Sequence, residues 1–340
     1  MKTFTNILLF TFTTFVMSDN EKIFAAEIEK KIAFSEFKED LNKTYENKKE
    51  EKVAFTNFKE TFEVVQKHNE DFNRGNTSFT MQINKNADES EDFFMARLNF
   101  DLETDVMDAR ADDDYPIVPK CNKQFLNYSM DGFVNNIKNQ GRCGACYAFA
   151  VAGACEGAFY KKYKKLYKIA EQQLVDCTKS NEYGNRGCVG GKISASYGYL
   201  SHWKAMNESE YPYKARDNGT CLYNETVAIS KITNYIKLTN VNETYLKDLL
   251  CVYGPLTVGI DASAKTFQYY SSGVYYDEEC GTTINHAVLL IGFGTDPEFG
   301  PYWLLKNSYG KNWGERGYIR ISRGKGNVCA FLNQITACII

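Results

Sequence analysis

Gln140-Gly141-Arg142-Cys143-Gly144-Ala145-Cys146-Tyr147-Ala148-Phe149 is the stretch from which the rest of the chain is read. It sets a side-chain amide, a glycine turn and a cysteine ahead of an Ala-rich run, Ala148 to Ala154, that predicts a helix opening near Cys146. A thiol at a helix start faces N–H groups with no intrahelical partner and the positive end of the peptide dipoles. Such surroundings favour thiolate, which is the nucleophile. Gln140 lies six residues back across the turn and can swing its amide toward the same point. The Cys146 backbone N–H and the Gln140 amide would then form a two-donor oxyanion hole. A structural cysteine pair at a helix start is the other reading of these ten residues.

The 340 residues allow one large domain or two modest ones, and 44% apolar with 14% aromatic residues supply real cores. A net charge of −3 speaks against a nucleic-acid binder. The charge is uneven. Residues 1–119 hold 15 Lys+Arg against 25 Asp+Glu, and residues 120–340 hold 25 against 18, giving −10 and +7. The two halves could attract each other, or the split could be surface composition alone.

Met1-Lys2 followed by the apolar run Ile7–Val16 has the layout of a secretory signal peptide, with cleavage expected after about Ser18. The run is too short to span a bilayer well, and no later stretch is long enough. Eleven cysteines behind such a segment point to disulfides in an oxidising compartment. Asn42, Asn76, Asn127, Asn207, Asn218, Asn224 and Asn242 open N-x-[ST] sequons, so glycosylation is expected at some of them.

Residues 19–100 read as helical and charged. Ala33 to Asn69 contains no Pro or Gly and places Phe34, Phe37, Leu41, Tyr45, Phe55, Phe58, Phe62 and Val65 at helical spacing. Residues 101–119 read as an extended linker, with Asp112-Asp113-Asp114 followed by Tyr115-Pro-Ile-Val-Pro119. Exposed linkers are where proteolytic nicking concentrates, so a cut is expected between about 105 and 122. Beyond it come the helix at Cys146, a short helix over Ala170–Cys177 and a glycine-rich loop over Gly184–Gly191. Strand patterns follow at Leu256–Ile260, His286–Phe293, Tyr302–Leu305 and Tyr318–Ile321. Helices first and strands later predict an α+β protein with two lobes.

A cysteine nucleophile needs a base within hydrogen-bond reach, and the base needs an orienting group. The chain has three histidines, His68, His202 and His286. His202 reads as a surface or packed residue. His286 opens the buried strand run, 140 residues after Cys146, and Asn307 follows 21 residues later. An amide there would hold the imidazole through its oxygen without taking its proton. A zinc site is not indicated, because no second C-x₂-C pair matches the first; no cofactor is implied.

These residues resemble the papain family of cysteine peptidases, the cathepsin L-like branch in particular. Cys143-Gly-Ala-Cys-Tyr147 matches C-G-[SA]-C-[WY], and the Cys146–His286 spacing falls in the papain-like range. Asn307-Ser-Tyr-Gly310 with Trp313 is similar to the N-S-W-G-x-x-W-G signature, with Tyr309 in place of the first Trp. The front region resembles the inhibitory propeptide of that branch. Glu50, Phe58 and Asn69 fall on its E-R-F-N-I-N pattern, whereas Ala54, Asn57, Thr61 and Val65 depart from it. Asn84 and Asp88 fit the later G-N-F-D element, where Asn86 replaces Phe.

The resemblance implies a papain-like α+β fold with a helical left lobe, a β-barrel-like right lobe and a cleft between them. It implies a layout of signal peptide 1–18, inhibitory propeptide 19–119 and peptidase domain 120–340. It assigns Cys146 as nucleophile, His286 as base and acid, Asn307 as orienting group and Gln140 as oxyanion donor. It pairs Cys143 with Cys188, Cys177 with Cys221, and Cys280 with Cys329. Cys155 then reads as a buried free thiol, and Cys121, Cys251 and Cys338 are left open. Gly190 and Gly191 would offer backbone groups to an extended substrate. Lys192, Gly259, Ile284, Ala287 and Gln334 would line the main specificity pocket. Its polar members predict tolerance of a polar or acidic side chain, unless Lys192 points to solvent. The function implied is a monomeric secreted or lysosomal endopeptidase, made as a zymogen, acting on proteins or peptides and held by its own propeptide. A non-catalytic papain-fold binding or inhibitory protein is the alternative.

Overall fold

The computed structural model describes residues 18–98 and 115–340. The expected signal segment up to residue 17 and residues 101–114 of the expected linker lie outside the described residues. The elements are α1 (Asp19–Asp40), α2 (Lys48–Asn73), β1 (Phe79–Met81), α3 (Glu91–Met95), β2 (Leu126–Asn127), α4 (Cys146–Tyr163), α5 (Glu171–Cys177), α6 (Ile193–His202), β3 (Ala205–Met206) and β4 (Ala228–Ser230). They continue with β5 (Asn234–Leu238), α7 (Glu243–Tyr253), β6 (Leu256–Ile260), α8 (Lys265–Gln268), β7 (Tyr270–Tyr275), β8 (His286–Asp296), β9 (Gly300–Lys306), β10 (Tyr318–Ser322) and β11 (Ile335–Ile339).

The Pro- and Gly-free run from Ala33 to Asn69 is not one helix. It breaks after Asp40, where Asn42 takes φ 47°, and restarts where the Asn47 side chain accepts the N–H groups of Lys49 and Glu50. Asparagine tolerates the left-handed region and caps helix starts, so it does here what Gly or Pro does elsewhere. The break lets α1 fold back on α2, with Phe34 and Phe37 packed on Phe58 at 5.2 and 5.0 Å between ring centroids.

One sheet runs β1-β7-β10-β9-β8-β6-β11-β5, with β2 paired to β8. Its spine is β8, buried over most of its length because it is covered on both faces. Gly292 lets β2 approach: a Cβ there would stand 2.1 Å from the Leu126 carbonyl oxygen. The Ala-rich α4 packs on α5 and α6 on one side and on β6, β8 and β11 on the other. Small side chains let α4 be enclosed almost completely, and it forms the seam between a helical half and a sheet half.

Disulfides join Cys143–Cys188, Cys177–Cys221, Cys280–Cys329 and Cys121–Cys251. Cys146, Cys155 and Cys338 are buried and unbridged. The front segment lies on the domain. β1 adds itself antiparallel to β7, Phe79 opposite Gly273, and the Asn84 amide donates to the Gln268 carbonyl at 2.9 Å. Among the described residues, the ion pair crossing this boundary is Arg142–Glu89 at 3.9 Å. Among the described residues, side-chain hydrogen bonds also cross this boundary, from Thr61 to Tyr269, Ser78 to Val274 and Gln82 to Asn312.

Candidate active site

Cys146 is the first residue of α4, with Ala145 as its N-cap and no side chain capping the turn. The turn is fixed from outside: Gly144 N donates to Cys188 O at 2.8 Å, and Cys143 is bridged to the same residue. The Cys146 sulfur is met by the backbone N–H groups of Ala287, Tyr147 and Cys146 itself. Ala287 follows His286 at the start of β8, so the helix start and the strand start converge.

His286 is fully buried, and its Nε2 lies 2.9 Å from Asn307 Oδ1. An amide oxygen only accepts, so Nε2 carries the proton and Nδ1 is left with a lone pair. Nδ1 is buried without a hydrogen-bond partner. Asn307 is fixed in turn, its N–H donating to Gly317 O at 3.0 Å and its Oδ1 also accepting Ser308 N at 2.8 Å. The Tyr309 ring lies 4.9 Å from the imidazole, inclined by 30°. Trp313 meets Tyr309 edge-on at 5.6 Å.

Gln140 is buried too. Its Nε2 donates to Cys143 O at 3.0 Å and its Oε1 accepts from Ser308 Oγ at 2.5 Å. Ser308 O also accepts Gln140 N at 2.8 Å. Ser308 thus ties the segment carrying Gln140 to the one carrying Asn307. The sequence reading passed over this residue, although it sits beside Asn307 in the same motif.

The helix start does not by itself produce a thiolate here. Burial pushes the Cys146 thiol up to about 11, against the lowering by the three N–H groups. Burial likewise lowers His286 to about 4, against the Asn307 hydrogen bond. Burial thus favours the neutral forms, thiol and imidazole, in this state. The front segment reaches this site through Phe94 of α3, which is 1% exposed and stands edge-on to Tyr309 at 6.2 Å. Desolvation here opposes the expected dipole stabilisation of the thiolate, which the three N–H groups favour.

Gly259, Ile284 and Gln334 meet: a Cβ on Gly259 would stand 2.7 Å from Ile284 Cγ2 and 3.4 Å from Gln334 Cβ. Ala287 pairs with Gly259 across β6 and β8. The Gln334 amide nitrogen is buried and has no hydrogen-bond partner. Gly190 and Gly191 flank the Cys143–Cys188 bridge, and Gly191 is pressed between Asn185 and Tyr147. Lys192 is half-buried, and its N–H donates to Asn185 Oδ1 at 2.7 Å. His202 is exposed at the end of α6.

Behind Asn307 a cavity of about 20 Å³ is lined in part by Lys138, Glu156, Glu171 and Lys306. Lys138 Nζ reaches Glu171 Oε1 at 2.7 Å and Glu208 Oε2 at 3.2 Å. Burial raises Glu171 to about 7 despite Lys138. No group of three or more metal-ligating side chains occurs among the described residues.

Residues 123–339 match the model of the papain family of cysteine proteases, and residues 34–93 match that of the cathepsin propeptide inhibitor domain. This chain belongs to the papain family. Among curated relatives, a cathepsin L-like protein of Caenorhabditis elegans is 44% identical over 198 residues, 58% of either chain. Cathepsin K of Mus musculus is 41% identical over 211 residues, 62% of either chain. The matches thus span about 58–62% of those relatives' length. Among solved structures, digestive procathepsin L 3 of Tenebrio molitor larval midgut superposes with TM-score 0.80 at 31% identity, covering 92% of this chain and 99% of that one. The recombinant stem bromelain precursor gives TM-score 0.77 at 31% identity, covering 92% and 99%. The papain-family fold and the inhibitor segment laid on it account for the two halves, the seam helix and the added strand β1.

Proposed function

We propose that this chain is the zymogen of a cysteine endopeptidase, with residues 19–119 as the inhibitory propeptide and 120–340 as the peptidase. The observation that carries this reading is the His286–Asn307 hydrogen bond of 2.9 Å, which leaves a buried, unpartnered Nδ1 beside the start of α4, where Cys146 is an unbridged thiol.

Removal of the front segment returns water to the pair. The Cys146 proton then passes to His286 Nδ1, giving thiolate and imidazolium. The sulfur attacks the peptide carbonyl carbon as the C=O π pair moves to oxygen. That oxyanion is held by the Cys146 N–H and by a Gln140 Nε2 hydrogen turned from Cys143 O. Collapse of the adduct breaks the C–N bond, and His286 protonates the departing amine. Water, deprotonated by His286, attacks the thioester and expels the Cys146 thiolate, releasing the acid. Asn307 keeps the imidazole in one plane throughout, and Tyr309 keeps water off the Asn307–His286 bond.

Gly190 and Gly191 pair with an extended substrate backbone. Gly259, Ile284, Ala287 and Gln334 take the side chain two positions before the scissile carbonyl, with Lys192 at the rim. The unpartnered Gln334 amide favours a polar or acidic group there, because filling the pocket with a purely apolar chain leaves that donor unsatisfied. Secretion through the segment ending near Ser18, residence in a lysosomal or extracellular space, and a monomeric state complete the proposal. No helix among the described residues is long and apolar enough to cross a membrane. Asn242 and Asn224 are exposed sequons whose Oδ1 atoms cap backbone turns. At Asn218 the nitrogen that would carry a sugar donates to Asp176 Oδ2 at 2.9 Å, which disfavours glycosylation there.

The test is acid activation of the full chain followed by labelling with an epoxide or fluoromethylketone thiol probe. One label on Cys146, with activity lost in Cys146→Ala, is the expected result; an activated protein that is neither labelled nor active overturns the reading. A peptide library profile confined to Leu and Phe at the pocket position removes the Gln334 part alone.

A further inference from the structure

The last residues before the peptidase domain are pinned to it. The Tyr115 hydroxyl donates to Thr239 O at 2.6 Å, and its ring stacks on Tyr245 at 5.1 Å and 17°. The Tyr245 hydroxyl donates to Pro116 O at 2.7 Å. Val118 packs against the core. The Cys121 N–H donates to Asp248 Oδ1 at 2.7 Å, and Cys121 is bridged to Cys251. Tyr245, Asp248 and Cys251 follow one another at three-residue intervals on α7, so they share one face. The helix beneath is firm. Leu246, Leu249 and Leu250 are buried, and Glu243 at its start accepts Trp303 Nε1 at 3.2 Å.

Cleavage requires several residues on each side of the scissile bond to be lifted, extended, into another protein's cleft. Lifting residues 116–120 means undoing pins at both ends, one of them covalent. Pro116 and Pro119 also lack the N–H with which an extended substrate pairs. Ile117 is fully exposed, but exposure of one side chain does not free the backbone on either side of it.

We propose that processing cuts upstream of Tyr115, and that Tyr115–Cys121 stays on the mature enzyme as an N-terminal strap along α7. This narrows the 105–122 range read from composition, and it rests on the zymogen reading. A cut after Lys120 is the sharpest rival, since it would set the new Cys121 ammonium against the Asp248 carboxylate.

The experiment is N-terminal sequencing and intact mass of the acid-activated protein. A mature N-terminus at or before Tyr115 is expected; one between Pro116 and Asn122 overturns the proposal. A second measurement separates the strap from the zymogen reading: limited subtilisin digestion of the full-length Cys146→Ala protein, which cannot process itself. Cuts upstream of Tyr115 with none in 116–121 support the strap even if the wild type never self-processes, an outcome that counts against the zymogen reading instead. Cuts within 116–121 while the domain stays folded overturn it. In Tyr245→Phe, and more so in Cys121→Ser/Cys251→Ser, subtilisin should cut the strap roughly tenfold faster or more, because local opening governs such cleavage. Unchanged rates in both variants would show that the pins do not protect it.

Discussion

Phe94 of the inhibitor segment stands edge-on to Tyr309, 6.2 Å between ring centroids, and Tyr309 lies over His286 at 4.9 Å. One aromatic residue of the propeptide therefore presses on the ring that roofs the imidazole. Truncating a buried Phe to Ala costs about 3–5 kcal/mol. Phe94→Ala should thus give a zymogen that turns over small peptides before processing and matures faster. Equal leak rates for variant and wild type would contradict this.

The neutral forms that burial favours have their own signature. With Cys146 raised to about 11, iodoacetamide should alkylate it far more slowly at pH 7 in the zymogen than after activation. Mass spectrometry of the alkylated peptide reads the difference, and comparable rates would count against it.

His286 sets a direction for acid activation. Its pKa in the closed form is lowered to about 4 from an ordinary 6.5. A lowered pKa means that the closed form binds the proton less well than the open one. Its contribution to closure is present above about 6.5 and is lost as pH falls toward 4, by up to about tenfold per pH unit. Self-processing rates should rise over that window. A flat profile between pH 7 and 4 would exclude the imidazole as the sensor.

Asp88 accepts from Lys43 Nζ at 2.6 Å and from the Tyr45 hydroxyl at 2.9 Å, and its backbone oxygen accepts from Asn57 at 3.1 Å. Removing one partner of a buried ion pair costs about 3–5 kcal/mol. Asp88→Ala should lower the melting temperature of the propeptide and release activity at higher pH. Thermal melts of the zymogen with Cys146 blocked would show the shift, and an unchanged melt would leave the pair without weight.

Glu171 works in the opposite sense. Its pKa is raised to about 7, so its contribution is full below about 4.5 and declines as pH rises through 7. Glu171→Gln should flatten the fall in stability of the domain between pH 5 and 7. Denaturant midpoints across that range test it; parallel curves would show that the group does not titrate there.

Much of the architecture could be read from local signals. The Ala-rich run after Cys146 announces a helix that can be enclosed, and the apolar run from His286 announces a strand covered on both faces. The four residues Cys146, His286, Asn307 and Gln140 are drawn together by those two elements and by Ser308. Other features had no local signal. The Cys121–Cys251 bridge joins residues 130 apart, and nothing near either one selects its partner. The turn between α1 and α2 is made by Asn42 and Asn47, which a search for Gly and Pro passes over. Ala54 occupies the place where the resemblance puts an Arg, and the positive charge near Asp88 comes instead from Lys43 in that turn. The protonation state of Cys146 depends on what lies over it, which no reading of residues 140–149 contains.

The added strand β1 has a consequence for the enzyme that activation leaves behind. Phe79–Met81 is the outermost member of the sheet and the neighbour of β7 on that side. On the zymogen reading, excising the inhibitor would free the Val274 N–H and the Tyr269 C=O, now paired with Ser78 O and Gln82 N at 2.9 Å each, and a bare rim recruits any extended chain that reaches it. On that reading, removal of the segment would create, apart from the proposed cleft, a second place where polypeptide can adhere.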